Sequence, residues 1–248
     1  MPHEAAKSRG WSWVRLGCGL MLLAAGLAGC VNPEVAAIRS LAPPMRPVSS
    51  PASPAIVVAP RPAEQPLGRL DGLVIVVDPG HGGNDPGTLG GGVPEKVING
   101  AIAWELARLL QQSGAEVVLT RSGDQSVSLA ERSAAAQRSR ADLFVSIHTD
   151  AARDRGVAGA TVYVARGAAA ASRRAAGSLK AALDQAGLDS RGVREANYQV
   201  LVGHSRPAVL VECGYLSNPL EAERLETGWY QGRIARVLAE GIAGYFGR

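Results

Sequence analysis

Short apolar runs that alternate with helical patterns constrain the fold of this chain more than any other feature. Three of the runs, LVIVV from Leu73, LFVSIH from Leu143 and AVLVE from Ala208, are continuous and rich in apolar and β-branched residues. Such runs are typical of strands that are buried on both faces of a sheet. Strands that alternate with helices predict a mainly parallel sheet. We therefore predict an α/β domain of three layers, with a twisted sheet of about six strands and helices on both faces.

The same patterns place the individual elements. Strands are predicted at 73–77, 116–120, 143–148, 160–164 and 208–212, and helices at 95–113, 128–139, 168–186 and 227–246. The second helix begins with Ser128-Leu129-Ala130-Glu131, which is a capping-box pattern. Between positions 149 and 208 we expect one helix only.

The first 68 residues differ in composition from the rest. Lys7, Arg9 and Arg15 are basic, and an uncharged apolar run at 16–28 is shorter than the ~20 residues that span a bilayer. This order predicts a secretory signal at 1–29. Residues 30–68 are rich in Pro, Ala and Ser, which predicts a semi-rigid tether. The folded domain is expected at 69–248.

The signal ends in Leu27-Ala28-Gly29-Cys30, which resembles the lipobox of bacterial lipoproteins. The resemblance implies a diacylglycerol on Cys30 and a membrane anchor; an ordinary signal with an incidental cysteine is the alternative. In Gram-negative lipoproteins, Asp after the cysteine commonly implies retention in the inner membrane. Val31 stands there in this chain. The resemblance therefore implies the periplasmic face of the outer membrane, and inner-membrane or cell-surface anchoring stays an alternative. Cys18 lies in the signal, so Cys213 is the remaining cysteine and no disulfide within the domain is expected.

Charge excludes one class of function. The net charge is +4, and removal of the four charged residues before Cys30 leaves about +2. A nucleic-acid-binding domain needs a dense basic stripe, which this sequence lacks.

Four polar residues stand where predicted strands end or helices begin. His81, His148 and Glu212 come at or just after the carboxyl ends of strands, and Glu95 opens the first helix. These ends meet at one edge of an open α/β sheet, so we expect the four side chains to converge. Two imidazoles and one carboxylate match the ligands of a catalytic zinc ion, and the other carboxylate can accept a proton.

Other interpretations stay open at this point. Each histidine could be a hydrogen-bonded structural residue. Glu95 could only complement the helix dipole, and Glu212 could pair with Arg206 or Arg121. The glycine-rich segment 80–92 lacks the lysine of a phosphate-binding loop, and H-E-x-x-H is absent.

Three ordered blocks resemble one enzyme family. They are IVVDPGHGGNDPGTLGGGVPEKVIN from Ile75, SLAERSAAAQRSRADLFVSIHTDA from Ser128 and RPAVLVECGYLSNPLEAERL from Arg206. All three are similar to the zinc N-acetylmuramoyl-L-alanine amidases of the autolysin and cell-division type. The resemblance implies that His81, Glu95 and His148 bind one Zn²⁺ and that Glu212 is catalytic.

The implied reaction is hydrolysis of the amide between N-acetylmuramic acid and L-alanine in peptidoglycan. Two alternatives are a wall-binding lipoprotein without activity and a zinc peptidase that cuts within the stem peptide. Some division amidases have an inserted helix that blocks the zinc; here we expect an open site, with any protein activator unknown.

Four further residues receive interpretations near this site. Asp78 is expected either to orient an imidazole or to cap the turn that follows it, and Arg132 of the second block is expected near the site or the substrate. Asp150 would add negative charge near the metal; it follows Thr149, and Thr149-Asp150 stands where the family often has Ala-Asn. Cys213 is interpreted as a packing residue.

Overall fold

A computed structural model describes residues 67–90 and 92–248 of this chain. The strands are β1 (Val74–Pro79), β2 (Leu89–Gly90), β3 (Val93–Pro94), β4 (Glu116–Leu119), β5 (Leu143–Asp150), β6 (Ala160–Val164), β7 (Ser190–Glu195) and β8 (Ala208–Tyr215). The helices are α1 (Glu95–Gln112), α2 (Leu129–Arg138), α3 (Ala170–Gln185), α4 (Gln199–Val202), α5 (Pro219–Leu225) and α6 (Gly228–Tyr245).

The expected signal, Cys30 and all of the expected tether except its last two residues lie outside these ranges. Among the helices of the described ranges, none combines the length and the apolar character that crossing a membrane requires.

Six strands form the main sheet, in the order β4-β1-β5-β8-β6-β7. All neighbouring strands are parallel except β6 and β8, which are antiparallel. The expectation of a mainly parallel six-stranded sheet is confirmed. The central strands β1, β5 and β8 share one direction, so their carboxyl ends lie along one edge.

Alternate residues of the central strands pack against opposite layers. Ile75 and Val77 of β1 join a large core with α1, α3 and α6, whereas Val76 joins a smaller core with α2 and α4. Helices thus cover both faces, as the three-layer prediction requires. The helices α2 and α4 are shorter than α1, α3 and α6, so they cover less of the sheet and leave room for a cleft beside the smaller core.

Every predicted helix and strand is present within three residues of its predicted ends. The capping box of α2 is formed: Ser128 Oγ accepts from the Glu131 N–H (3.2 Å), and Glu131 Oε2 accepts from the Ser128 N–H (2.8 Å). The expectation of one helix between 149 and 208 is wrong, because α4 lies there as well as α3. The hairpin β2–β3, strand β7 and helix α5 were not predicted.

Candidate active site

The site lies on the face of the smaller core, where buried positions change from apolar to polar. Phe144 and Leu210 belong to the core, and the residues four and two positions further along these strands are His148 and Glu212. His148 and Glu212 are register partners on the neighbouring parallel strands β5 and β8. Register partners in a parallel pair project to the same face, so the imidazole and the carboxylate face one cleft. The pairing of β5 with β8 is therefore sufficient to place His148 and Glu212 side by side.

His81 stands in a tight loop two residues after β1. Its φ angle is 60°, which is uncommon for a residue other than glycine and often marks a functional position. Nδ1 lies 2.7 Å from Asp85 Oδ2, and Nε2 lies 3.1 Å from Glu95 Oε2. Burial lowers the pKa of His81, but Glu95 and Asp85 outweigh it and the net pKa is raised.

The sequence did not lead us to Asp85, although its carboxylate lies within hydrogen-bond distance of His81 Nδ1. The available signal was its position, since it is the only acidic residue between Asp78 and Glu95. A carboxylate on the far nitrogen of a ligand histidine fixes the ring and its tautomer.

Glu95 opens α1 and reaches over the carboxyl edge of the sheet. Its side chain is almost fully buried, and His148 Nδ1 lies 3.1 Å from Oε1. The Thr88 N–H donates to Oε2 (2.9 Å), and the Thr149 N–H (3.1 Å) and Asn99 Nδ2 (3.0 Å) donate to Oε1. Burial raises the pKa of Glu95, but the contacts with both histidines outweigh it and hold the pKa far below its usual range. Glu95 is therefore an ionised group in a fixed orientation.

His81, Glu95 and His148 form a group that can hold a metal ion. Each offers one ligand atom, and these atoms lie within 4.8 Å of one another. Ligand atoms of a tetrahedral zinc ion, at about 2.0–2.1 Å from the metal, lie about 3.3 Å apart. The 3.1 Å between His81 Nε2 and Glu95 Oε2 is close to that value, and His148 Nδ1 lies at the same distance from the other oxygen, Oε1. The donor set fits zinc.

Because Gly87 has no side chain, its backbone can lie close to Glu95 and His81. Its φ angle is 68°, and a Cβ atom there would lie 2.5 Å from Glu95 Oε2 and 2.7 Å from His81 Cδ2. A side chain at this position would displace Glu95 and His81 from their present places.

Glu212 is buried without the partners that a buried carboxylate normally has. It is 7% exposed, and its Oε2 has no hydrogen-bond partner among residues 67–90 and 92–248. Burial raises the pKa of Glu212 well above its usual range, and the charges of Asp150 and Glu95 raise it further. Unpaired buried carboxylates are costly, and they are common where an acid or base must act.

The alternative pairing of Glu212 with Arg206 or Arg121 is wrong. Arg206 donates to the main-chain oxygens of Ala141 and Arg140. Arg121 donates to main-chain oxygens as well, those of Pro79, Gly80, Lys96 and Gly123.

Asp78 makes no hydrogen bond to either imidazole, so it does not orient one as was expected. Its oxygens accept from Thr120 Oγ1 (2.5 Å), Ser146 Oγ (2.7 Å) and Arg132 Nη1 (2.7 Å). All of its bonds are to side chains, so the expected role as a cap of the next turn is not seen either. The orienting contact to His81 comes from Asp85 instead.

Arg132 holds the loop that contains His81. Besides Asp78, it donates to the main-chain oxygens of Pro79 (2.6 Å) and His81 (2.7 Å). Arg132 and Asp78 are both buried, and removing one partner of such a pair typically costs about 3–5 kcal/mol. The pair connects α2 to the loop that presents His81.

A cleft of about 750 Å³ opens above these groups. Its lining includes all four predicted site residues, the half-buried Asp150, and apolar atoms of α2 and α4. Burial raises the pKa of Asp150. Tyr198, at the start of α4, was missed by sequence reasoning because α4 was not predicted. Cys213 points away into the large core, where burial raises the pKa of its thiol.

Comparison with known proteins gives consistent matches. The family model described as N-acetylmuramoyl-L-alanine amidase matches residues 75–244. The probable cell wall amidase LytH of Staphylococcus epidermidis is 37% identical over 192 residues, which is 75% of this chain and 63% of LytH. The N-acetylmuramoyl-L-alanine amidase LytC of Bacillus subtilis is 36% identical over 186 residues, which is 74% of this chain and 38% of LytC.

A solved structure agrees with the sequence relatives. The catalytic domain of CwlV, an N-acetylmuramoyl-L-alanine amidase from Bacillus (Paenibacillus) polymyxa, superposes with a TM-score of 0.67 at 37% identity. The match covers 71% of this chain and 98% of the CwlV domain. The similarity therefore covers a whole catalytic domain of that enzyme, but only part of LytH and LytC.

Proposed function

Because the chain belongs to the N-acetylmuramoyl-L-alanine amidase family, we propose that it works with one Zn²⁺ held by His81, Glu95 and His148 and with Glu212 as the catalytic carboxylate. The protein is a peptidoglycan hydrolase. Its reaction is cleavage of the amide bond between N-acetylmuramic acid and the L-alanine of the stem peptide. Among the observations on the site, the juxtaposition of a three-ligand group with an unpartnered buried carboxylate carries the proposal.

The hydrolysis needs a Lewis acid at the carbonyl and a group that transfers a proton. When bound, zinc supplies a Lewis acid that polarises the carbonyl and lowers the pKa of a bound water toward about 7. Glu212 accepts the proton of the attacking water and passes it to the nitrogen of the leaving L-alanine. Its buried oxygen without a partner suits this task, because the group must gain and lose a proton, and burial raises its pKa above the ordinary value. Asp150 contributes charge to the cleft, and Arg132 supports the loop of His81.

The products released from peptidoglycan test the proposal. We expect the full chain with zinc, added alone to purified sacculi, to release intact stem peptides that mass spectrometry identifies by a free L-alanine amine. Shortened stems would indicate a peptidase, and unchanged sacculi with bound protein would indicate a wall-binding protein. Either result contradicts the proposal.

The same experiment tests the open site. The short helix α4 lines one wall of the cleft, and the cleft is open toward the proposed ligands. We expect turnover without an added activator protein. Strict dependence on a second protein would contradict an open site.

The cell-wall substrate requires an exported protein. We propose that the export signal at 1–29 is removed, that Cys30 is lipidated, and that residues 31–68 tether the domain to the periplasmic face of the outer membrane. The support is the sequence alone. Labelling of the parent by a fatty-acid analogue, absent in Cys30→Ala, is expected; equal labelling would contradict lipidation at Cys30. Density-gradient fractionation then distinguishes the outer from the inner membrane.

A further inference from the structure

Two buried polar side chains lie behind Glu95, on the side away from the cleft. Asn99 and Thr149 are both 0% exposed. Asn99 follows Glu95 by one turn of α1, so its side chain reaches the same carboxylate. Asn99 Nδ2 donates to Glu95 Oε1 (3.0 Å), and Thr149 Oγ1 donates to Asn99 Oδ1 (3.0 Å).

The Thr149 hydroxyl at Oδ1 and the main-chain oxygen of Gly80, 3.5 Å from Nδ2, favour the same orientation of the Asn99 amide. A carboxamide offers an acceptor at one end and donors at the other. With Oδ1 toward the Thr149 hydroxyl, the NH₂ group faces Glu95. In the flipped orientation Oδ1 would face Glu95 Oε1, and two acceptors would meet in a buried position.

This arrangement makes the two oxygens of Glu95 unequal. Oε1 accepts from two neutral donors, Asn99 Nδ2 and the Thr149 N–H, whereas Oε2 accepts from one, the Thr88 N–H. A carboxylate oxygen has about two lone-pair sites. Each oxygen also has one imidazole nitrogen at 3.1 Å, His148 Nδ1 beside Oε1 and His81 Nε2 beside Oε2. The N–H donors alone therefore occupy both lone-pair sites of Oε1 and leave one site of Oε2 free.

We propose that Asn99 and Thr149 are positioning residues that present Glu95 Oε2 to the metal. The inference rests on the proposed function, because it assumes that the ion binds at His81, Glu95 and His148. Alanine at 149 would keep the main-chain N–H and lose the hydroxyl. Thr149 thus contributes a hydroxyl contact that an alanine at this position would lack.

Zinc affinity measured by competition with a chelator tests the inference without reference to turnover. We expect Thr149→Val, which keeps the shape and removes the hydroxyl, to weaken zinc binding by about 10-fold, within the range for residues that support metal ligands. Thr149→Ser should restore affinity close to that of the parent. Ser178→Ala is the matched control, since it removes a hydroxyl that joins α3 to α6 at Gly241 O. It should bind zinc as the parent does.

A spectroscopic measurement separates positioning from a general loss of stability. In the Co²⁺-loaded protein, the visible absorption bands should shift in Thr149→Val and stay unchanged in Thr149→Ser and Ser178→Ala. Unchanged affinity and bands in Thr149→Val, with zinc bound normally by the parent, would overturn this inference alone. A parent that binds no zinc would overturn both the inference and the proposed function.

Discussion

Glu95 and Glu212 line the same cleft and are both buried, but their surroundings differ in nearly every respect. Three neutral N–H donors and two imidazoles surround the carboxylate of Glu95. Glu212 has an oxygen without a partner in the described part of the chain. The pKa of Glu95 is lowered, and that of Glu212 is raised. A metal ligand must stay ionised and fixed, whereas a proton acceptor must be able to change its protonation state. This difference in surroundings supports the proposal that the two carboxylates have different tasks.

Substitution of Glu212 should produce the largest effect. We expect Glu212→Gln to lower kcat by roughly 10²–10⁴-fold, the range for loss of a general acid–base group, while zinc affinity stays at the parent's value. Glu95→Gln should instead lose zinc. Turnover on sacculi and zinc affinity, measured on both variants, check this difference.

Glu226→Gln is the matched control for Glu212→Gln. Glu226 also has a buried oxygen without a partner in the described ranges, but it follows α5 and is not part of the cleft lining. It should keep full turnover. A Glu212→Gln variant that hydrolyses sacculi at the parent's rate would remove Glu212 from the reaction.

Asp85 contacts Nδ1 of His81, and Glu95 contacts Nε2 of the same ring, so Asp85 supports the proposed metal site and not the Glu212 carboxylate. We expect Asp85→Asn to weaken zinc binding by about 10-fold, because the His81 ring loses its charged acceptor. Asp184→Asn, on the exposed surface of α3, is the control and should bind zinc normally. If Asp85→Asn binds zinc as tightly as Asp184→Asn, the contact of Asp85 with His81 has no role in metal binding.

The smallest effect concerns stability without metal, and its sign differs between the two glutamates. A raised pKa in the folded state means that the contribution of Glu212 to stability is full below the ordinary pKa of 4.5 and is lost as pH rises above it. The lowered pKa of Glu95 means that its contribution is present above 4.5 and is lost as pH falls below it.

Urea unfolding of the chelator-treated protein across this pH range checks both signs. Relative to the parent, Glu212→Gln should gain free energy of unfolding as pH rises from 4.5, and Glu95→Gln should lose it as pH rises toward 4.5. Parallel curves for the two variants would contradict the assignment of opposite environments.

The sequence predicted the positions of the four central residues because each stands near the end of a strand or at the start of a helix. His148 and Glu212 follow continuous apolar runs, and such runs indicate both the strand and its end. Two features could not be predicted from apolar runs. One is the antiparallel pairing of β6 with β8, and the other is the edge strand β7, SRGVRE. Charged and small residues interrupt β7, so no apolar periodicity marks it.

Residues that support the site were harder to predict, since their roles depend on contacts between distant segments. Asn99 and Thr149 are 50 positions apart, and Asp78 and Arg132 are 54 apart. Asp78 precedes His81 by three positions, which suggested a contact with the imidazole. The direction of its side chain, toward Arg132 and Ser146, is set by the pleat of β1 and by the neighbouring strand.

Anomalous diffraction at the zinc absorption edge, from crystals of the zinc-loaded protein, tests the division of roles most directly. We expect one peak within about 2.0–2.2 Å of His81 Nε2, one oxygen of Glu95 and a ring nitrogen of His148, with Glu212 close by and not a ligand. A peak coordinated by Glu212 in place of Glu95, or no peak between the two histidines, would contradict it.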